Sequence, residues 1–470
     1  VRVGAALAGL AALALAGCAT PYHREDFTRV GELARLPLPE KAGRPLPEAQ
    51  RQQEEDVAPL LARPLTAEGV VRVALLNNRA LRAALRDVGV ARGELIQAGL
   101  LPNPEVEFDV RGTTHPEDPL QQDYFVGFDL THAVLAPLRA HVASANVEAA
   151  RYRAAQAAVQ LAFDARAAFY ALQAAEARLA TSTRALDAFA AGREAAQALF
   201  EAGNTPEVAL AAQEAAYEGA RAATAEQELA VLEARERLNR LMGLHGGQTE
   251  WKAEGRLPAP PADAPAVPAD LETRALQASL ELGEMRARLE GLGRRTSLER
   301  TQGWLPDVTV DAHAEQDEDH WEVGGGASLT VPLFDRRQGA TAAAEAQFDA
   351  LAERYEAAAV EVRSAAREVR NRLRLAEARA RQYEKVIVPA RQRVLQQTQL
   401  QFNAMQVGVF QLLSTLRELR DTELAQAAAL QDYWTARAAL EALLQGQRVG
   451  VGPSQTTGAP AAGAAGAEGH

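Results

Sequence analysis

Two short regions of the chain alternate apolar and polar side chains with period two, each enclosed by much longer regions of helical periodicity. In the first, Val106, Phe108 and Val110 share one parity while Glu105, Glu107 and Asp109 take the other, and Val126, Phe128 and Leu130 continue the apolar set. In the second, Val308, Val310 and Ala312 oppose Asp307, Thr309, Asp311 and His313, and Trp321, Val323, Ala327, Leu329 and Val331 follow in one parity. Such alternation predicts strands, here over about 104–112, 123–131, 306–315 and 321–333. About ten residues per strand, apolar on one side only, is the pattern of an outer-membrane β-barrel. The lipid-facing set is then Val106, Phe108, Val126, Phe128, Val308, Val310, Trp321 and Val323. A half-buried hairpin of a soluble protein alternates in the same way, so the pattern alone leaves both readings open.

The helical regions repeat. Pro104 and Pro306 stand 202 positions apart, as do Phe200 and Phe402, and Ala74-Leu75 pairs with Ala275-Leu276 at 201. Each copy begins with an amphipathic helix (about 66–100 and 269–303), followed by the two strands. A long Ala-rich helix comes next (about 139–200 and 338–402), then a turn and a returning helix (about 206–243 and 409–445). Roughly 60 helical residues span on the order of 90 Å at 1.5 Å per residue. The leading and returning helices together match that length, so the pattern predicts a hairpin rod. The copies occupy 66–243 and 269–446, joined by a Pro/Gly-rich linker at 244–268.

Four strands cannot close a barrel, since barrels need about eight or more. An open edge in lipid leaves backbone groups unsatisfied at several kcal/mol each. Several chains must therefore share one barrel, and three would supply an allowed even number of strands. The fold class expected is mainly α, with a small membrane β-barrel closed between chains.

Composition narrows the function. The net charge of −12 offers no basic excess for nucleic acid. Aromatics are 5% of residues while apolar residues reach 47%, a balance set by alanine that suits closely packed long helices. After the first twenty residues no segment is apolar for long enough to span a bilayer as a helix. Residues 1–17 have the layout of a signal peptide: Arg2, an uncharged Ala/Leu/Gly run, then Leu15-Ala16-Gly17-Cys18. Cys18, the single cysteine, stands where a bacterial lipobox places its acylated thiol, and Ala19 rather than Asp favours outer-membrane sorting. Residues 18–65 read as a lipidated extended segment, and 447–470, rich in Gly and Ala, as a disordered tail.

Taken in order, the motifs resemble the TolC family of outer-membrane efflux channels, in its lipoprotein subgroup. The carriers are Ala74-Leu75-Leu76-Asn77-Asn78 with Leu81, Leu101-Pro102-Asn103-Pro104, Val331-Pro332-Leu333-Phe334, Ala202-Gly203, Ala404-Met405 with Gln411-Leu412-Leu413, and the helix from Tyr433 to Gly446. The resemblance implies a homotrimer with a twelve-stranded barrel and a periplasmic tunnel of helices. It also implies a periplasmic adaptor and an inner-membrane pump of the RND type, and the second tip, Asn403 to Phe410, looks like that of members associated with heavy-metal pumps. In that topology the docking tips are Ala202, Gly203, Asn204 and Thr205, and Ala404, Met405, Gln406, Val407 and Gly408, with Ala202, Met405 and Val407 expected to be exposed. A turn needs positive φ, which Gly203 and Gly408 supply. Met405, where the family often has Gly, implies a differently shaped second turn. Members with an acidic gate ring carry Asp where this chain has Ala209 and Gln411, so no gate residue is assigned.

Other chemistry is sparse. His313 and His320 flank the acidic stretch Glu315 to Asp319, a solvated loop in the simpler reading and a cation site in the other. Gly324-Gly325-Gly326 lacks the Lys-Ser/Thr of a phosphate loop. No nucleophile motif, metal set or cofactor site stands out, so no enzyme is expected. Two rivals remain, the outer-membrane duct of a type I secretion system and a periplasmic adaptor lipoprotein. The second would carry one hairpin among β-domains, not two hairpins. The exported substrate stays open.

Overall fold

The computed structural model describes residues 24–38, 55–112, 120–263, 265–317 and 320–449. The signal segment, Cys18 and the tail beyond 449 lie outside the described residues. In the first copy, helix α1 (Arg24–Ala34) precedes α2 (Ala67–Asn77) and α3 (Arg79–Gly99), strands β1 (Glu105–Arg111) and β2 (Gln121–Asp129), then α4 (Leu130–Glu201) and α5 (Glu207–Met242). The second copy repeats the order with α6 (Leu271–Ala278), α7 (Leu280–Trp304), β3 (Asp307–Asp317), β4 (His320–Thr330), α8 (Gln338–Gln382), α9 (Val388–Asn403) and α10 (Val409–Leu444). The chain divides into two compact units that cut across the duplication. Of the described residues, one takes those within 24–38, 79–158 and 279–361, the other those within 55–78, 159–278 and 362–449.

In the first unit the strands form one antiparallel sheet in the order β1-β2-β3-β4. Thr131 joins the copies at its base: its hydroxyl donates to the Pro306 carbonyl at 2.9 Å and accepts from the Val308 N–H at 2.8 Å. The Asp129 carboxylate accepts from the His132 N–H at 2.7 Å and so starts α4 before Pro137, at Leu130 instead of near residue 139. A proline removes one helical hydrogen bond, and here the helix continues through it. Helix α1 buries Phe27, Val30 and Ala34. Its Asp26, 2% exposed, receives Arg92 of α3 at 2.6 and 3.1 Å and Arg151 of α4 at 2.5 and 3.0 Å. Burial pushes the Asp26 carboxyl up, but the hydrogen bonds and charges of the two guanidinium groups outweigh it and hold it below the usual carboxylate range.

In the second unit the helix ends are closed by amides. Asn77 donates to the Met242 and Gly243 carbonyls at 2.7 and 2.9 Å, and Asn78 to Leu241 at 2.9 Å, satisfying the last turn of α5. Gly243, at φ 66°, ends that helix, and a side chain there would meet the Asn77 carbonyl at 2.8 Å. The leading helices, expected to be continuous, break at Asn78 and Ser279. Asn78 is extended, and in the first unit the Ser279 hydroxyl caps α7 by accepting the Leu282 N–H at 3.3 Å. The second long helix also departs from the expected single rod. A π-turn at Tyr383–Ile387 separates α8 from α9, with the Val388 N–H reaching back to the Tyr383 carbonyl. Pro389 follows directly and cannot donate to the carbonyl four residues before it, and the wider turn absorbs that defect. The linker is held, not loose: Leu65 bridges Ala253, Trp251 is buried with its indole N–H on Asn239 at 2.8 Å, and Trp434 donates to the Pro258 carbonyl at 2.8 Å.

Candidate channel wall and docking tips

The strand register sorts the sheet into two chemically opposite faces. Val106 pairs with Val126, Phe108 with Tyr124, Phe128 with Val310, Val308 with Leu329, Ala314 with Val323 and Gln316 with Trp321. Directly paired residues point to the same side of a sheet. All eight residues expected to face lipid therefore lie on one face; Val106, Phe108, Val126, Trp321 and Val323 are exposed, Val106 at 70% and Val323 at 79%, while Phe128, Val308 and Val310 are half-buried. Tyr124 joins them, its ring 4.8 Å from Phe108 and 5.7 Å from Trp321. Sequence reading passed it over, although its parity with Val126 marks it.

The other face is acidic. It carries Glu105, Glu107 and Asp109 of β1, Asp123 and Asp129 of β2, Asp307, Asp311 and Glu315 of β3, and Glu322 of β4. Arg111, paired with Asp123 at 2.9 Å, is the only Lys or Arg in the four strands. His313 stands 3.6 Å from Asp311 and His320 3.8 Å from Glu322. Among the described residues no three His, Cys, Asp or Glu gather as a metal site. The glycine run makes room on this face: a Cβ at Gly324 would lie 2.5 Å from the His313 ring, and one at Gly326 2.6 Å from the Asp311 carboxylate. Strands β1 and β4 are the sheet's two unpaired edges.

At the far turns, both hairpins close with one hydrogen-bond pattern. In the first, Gly203 (φ 71°) donates to the Phe200 carbonyl at 2.9 Å and Asn204 to Leu199 at 2.8 Å. In the second, Met405 (φ 57°) donates to Phe402 at 2.9 Å and Gln406 to Gln401 at 2.9 Å. This is a Schellman closure in both, so the second turn is not differently shaped. Gly408 is not at positive φ either: at φ −81° it is the extended residue before α10, and Met405 takes the left-handed position. Ala202, Gly203, Asn204, Ala404, Met405, Gln406 and Gly408 are exposed, while Thr205 and Val407 are half-buried. Val407, expected to be exposed, therefore differs from Ala202 and Met405. The outermost apolar side chains are Met405, 94% exposed, and Val208, 74%. Behind the tips Phe189, Ala185, Ala220 and Leu413 form a core that ties α4, α5 and α10 together.

The sequence model of a family described as "Outer membrane efflux protein" matches residues 271–446, from α6 to the end of α10. The match falls on the second copy of the duplicated chain. The chain is also 24% identical over 398 residues to the cobalt-zinc-cadmium resistance protein CzcC of Cupriavidus metallidurans, covering 82% of this chain and 90% of the relative. Its fold is that of the outer-membrane channel OprN (TM-score 0.67, 20% identity, 91% of this chain and 94% of that one). The open MtrE outer membrane channel of Neisseria gonorrhoeae has the same fold (TM-score 0.63, 19% identity, 81% and 89%). The chain is thus similar to outer-membrane efflux proteins, by sequence in its second copy and by fold over most of its length.

Proposed function

We propose that this chain is the outer-membrane conduit of a tripartite efflux system, and that three copies close their sheets into one twelve-stranded barrel with the apolar face toward lipid and the acidic face toward the lumen. The supporting observation is the register itself, which gives four strands an apolar face, a charged face and two bare edges. An edge cannot face hydrocarbon unpaired, so β1 of one chain meets β4 of the next. The tips, led by Ala202 and Met405, dock a periplasmic adaptor that links the channel to an inner-membrane pump of the RND type. Cys18 carries the acyl chains that anchor the mature N-terminus in the outer membrane.

The cargo is divalent metal cations. The likeness to a cobalt-zinc-cadmium resistance protein supports this, and a lumen lined by carboxylates raises local cation concentration. Native mass spectrometry in detergent should give a trimer, and reversal potentials in planar bilayers should show cations passing in preference to anions. A folded monomer with intact strands would end the barrel reading; an anion preference would end the cargo reading. Intact mass decides the anchor: mature protein starting anywhere but an acylated Cys18 rejects it.

A further inference from the structure

Within the first unit a groove of about 790 Å³ opens between α4, α7 and α8. Its charged lining is entirely basic: Arg288 and Arg295 from α7 and Arg354 from α8, with the amides of Asn146 and Gln347 beside them and no Asp or Glu. That composition runs against the chain, which carries 62 acidic and 50 basic residues. The arginines are unevenly neutralised. Arg288 meets Glu284 at 2.6 Å. Arg295 stands 3.8 Å from Glu299, whose other oxygen is taken by Arg337 at 2.6 Å. Arg354 has no ion pair among the described residues.

The spacing suits a ligand longer than a single ion. Arg288 and Arg295 are two turns apart on one helix face, about 10 Å along the axis at 1.5 Å per residue, and Arg354 closes from the neighbouring helix. Gly291 stands between them on the groove floor, where α4 approaches so closely that a Cβ would lie 3.1 Å from the Ala145 methyl. The rest of the lining is aliphatic. Planar guanidinium groups recognise carboxylate, phosphate and sulfonate oxygens through paired hydrogen bonds. A pocket of several hundred Å³ with an apolar floor and few convergent donors is the usual form of a small-molecule site.

We propose that this groove binds an organic oxyanion, a molecule with two acidic groups on an apolar body, held by Arg288, Arg295 and Arg354. The site is separate from the acidic strand face and from the tips, and it does not depend on the cargo of the channel.

The test uses the full-length channel in lipid nanodiscs, titrated with naphthalene-1,5-disulfonate, a water-soluble rigid dianion. Binding should be present, should weaken severalfold as salt is raised from low to physiological strength, and should exceed that of the cation 1-naphthylmethylammonium. The R288Q/R295Q/R354Q variant should bind about tenfold more weakly or worse. Ala350→Glu places a carboxylate in the groove without removing an arginine, and should have the same effect, which guards against a misfolded triple variant. No binding to the parent protein, equal binding of the cation, or unchanged binding by both variants overturns the proposal.

Discussion

The two copies reach one geometry by different chemistry, and the comparison separates what the fold requires from what each copy adds. The first long helix runs unbroken through 72 residues despite Pro137, whereas the second yields to a π-turn beside Pro389. Pro137 lies within the first turns of α4, where few helical hydrogen bonds precede it. Pro389 sits deep in a helix that must continue on both sides. The first copy has a docked partner in α1, held by Asp26. Its tip closes on glycine, and the other on methionine. The hydrogen-bond pattern of the tips and antiparallel strand pairing are common to both, so these are the required features; residue identity at a turn is not.

The largest effect is expected at the tips. Ala202→Glu with Met405→Glu puts a charge on both exposed turns while leaving the core behind them untouched. Efflux should be abolished with trimer assembly and outer-membrane level unchanged. Losing export with either single change alone would mean the copies contribute unequally. Export and adaptor crosslinking that both survive the double change would move docking elsewhere.

The strands of the two copies should respond alike. Phe108→Arg in the first and Val308→Arg in the second each put a cation on the apolar face, at a cost of ~2–4 kcal/mol near the bilayer midplane. Glu107→Arg and Thr309→Arg, on the acidic face, should leave trimer stability intact and lower cation preference in single-channel recordings. Trimer yield and dissociation temperature check the first pair. Tolerance at Phe108 or Val308 would mean that this face does not meet lipid.

The Asp26 clamp belongs to one copy only. Asp26→Asn removes the charge between Arg92 and Arg151, and about 2 kcal/mol of local stability should go with it, below the usual loss for a broken buried pair because both arginines are partly exposed. The folded-state pKa of Asp26 is depressed. Its contribution is therefore present above the unfolded carboxylate value of about 3.9 and fades as pH falls through the lower folded value. Amide exchange in α1 should accelerate in the variant at neutral pH, and in the parent only under acid. Equal exchange in both would show that Phe27 and Val30 hold the helix unaided.

These contrasts also mark what sequence can carry. Strand faces were legible because period two is local, and Glu107 beside Phe108 already declares both sides. The tips were legible from repeated Phe200 and Phe402, but the half-burial of Val407 was not, because it lies in the bend before α10, where no periodicity marks a buried side. The start of α4 was misread because proline is a helix terminator on average, and the Asp129 cap before it outweighs that tendency. Asp26 gave no signal, since its partners lie 66 and 125 residues away. The arginine groove was invisible for the same reason: three helices from both copies build it, and along the chain its arginines look like solvated helix faces.

The smallest effect bears most directly on the two turns. A non-glycine residue in the left-handed region costs about 1 kcal/mol, and Met405 carries that strain while Gly203 does not. Met405→Gly should relieve it, less the entropy that glycine adds to the unfolded chain, for a net gain of roughly 0.5 kcal/mol. Gly203→Ala should lose about 1 kcal/mol through backbone strain alone, because nothing lies within 4 Å of the added Cβ. Exchange of the Gln406 amide, which donates to Gln401, reports the first, and the Asn204 amide the second. Stability and function then part company at one residue. If the Met405 side chain is a docking contact, Met405→Gly weakens adaptor crosslinking while it slows amide exchange. If both improve together, the methionine serves the turn no better than glycine would and the docking surface lies on its neighbours.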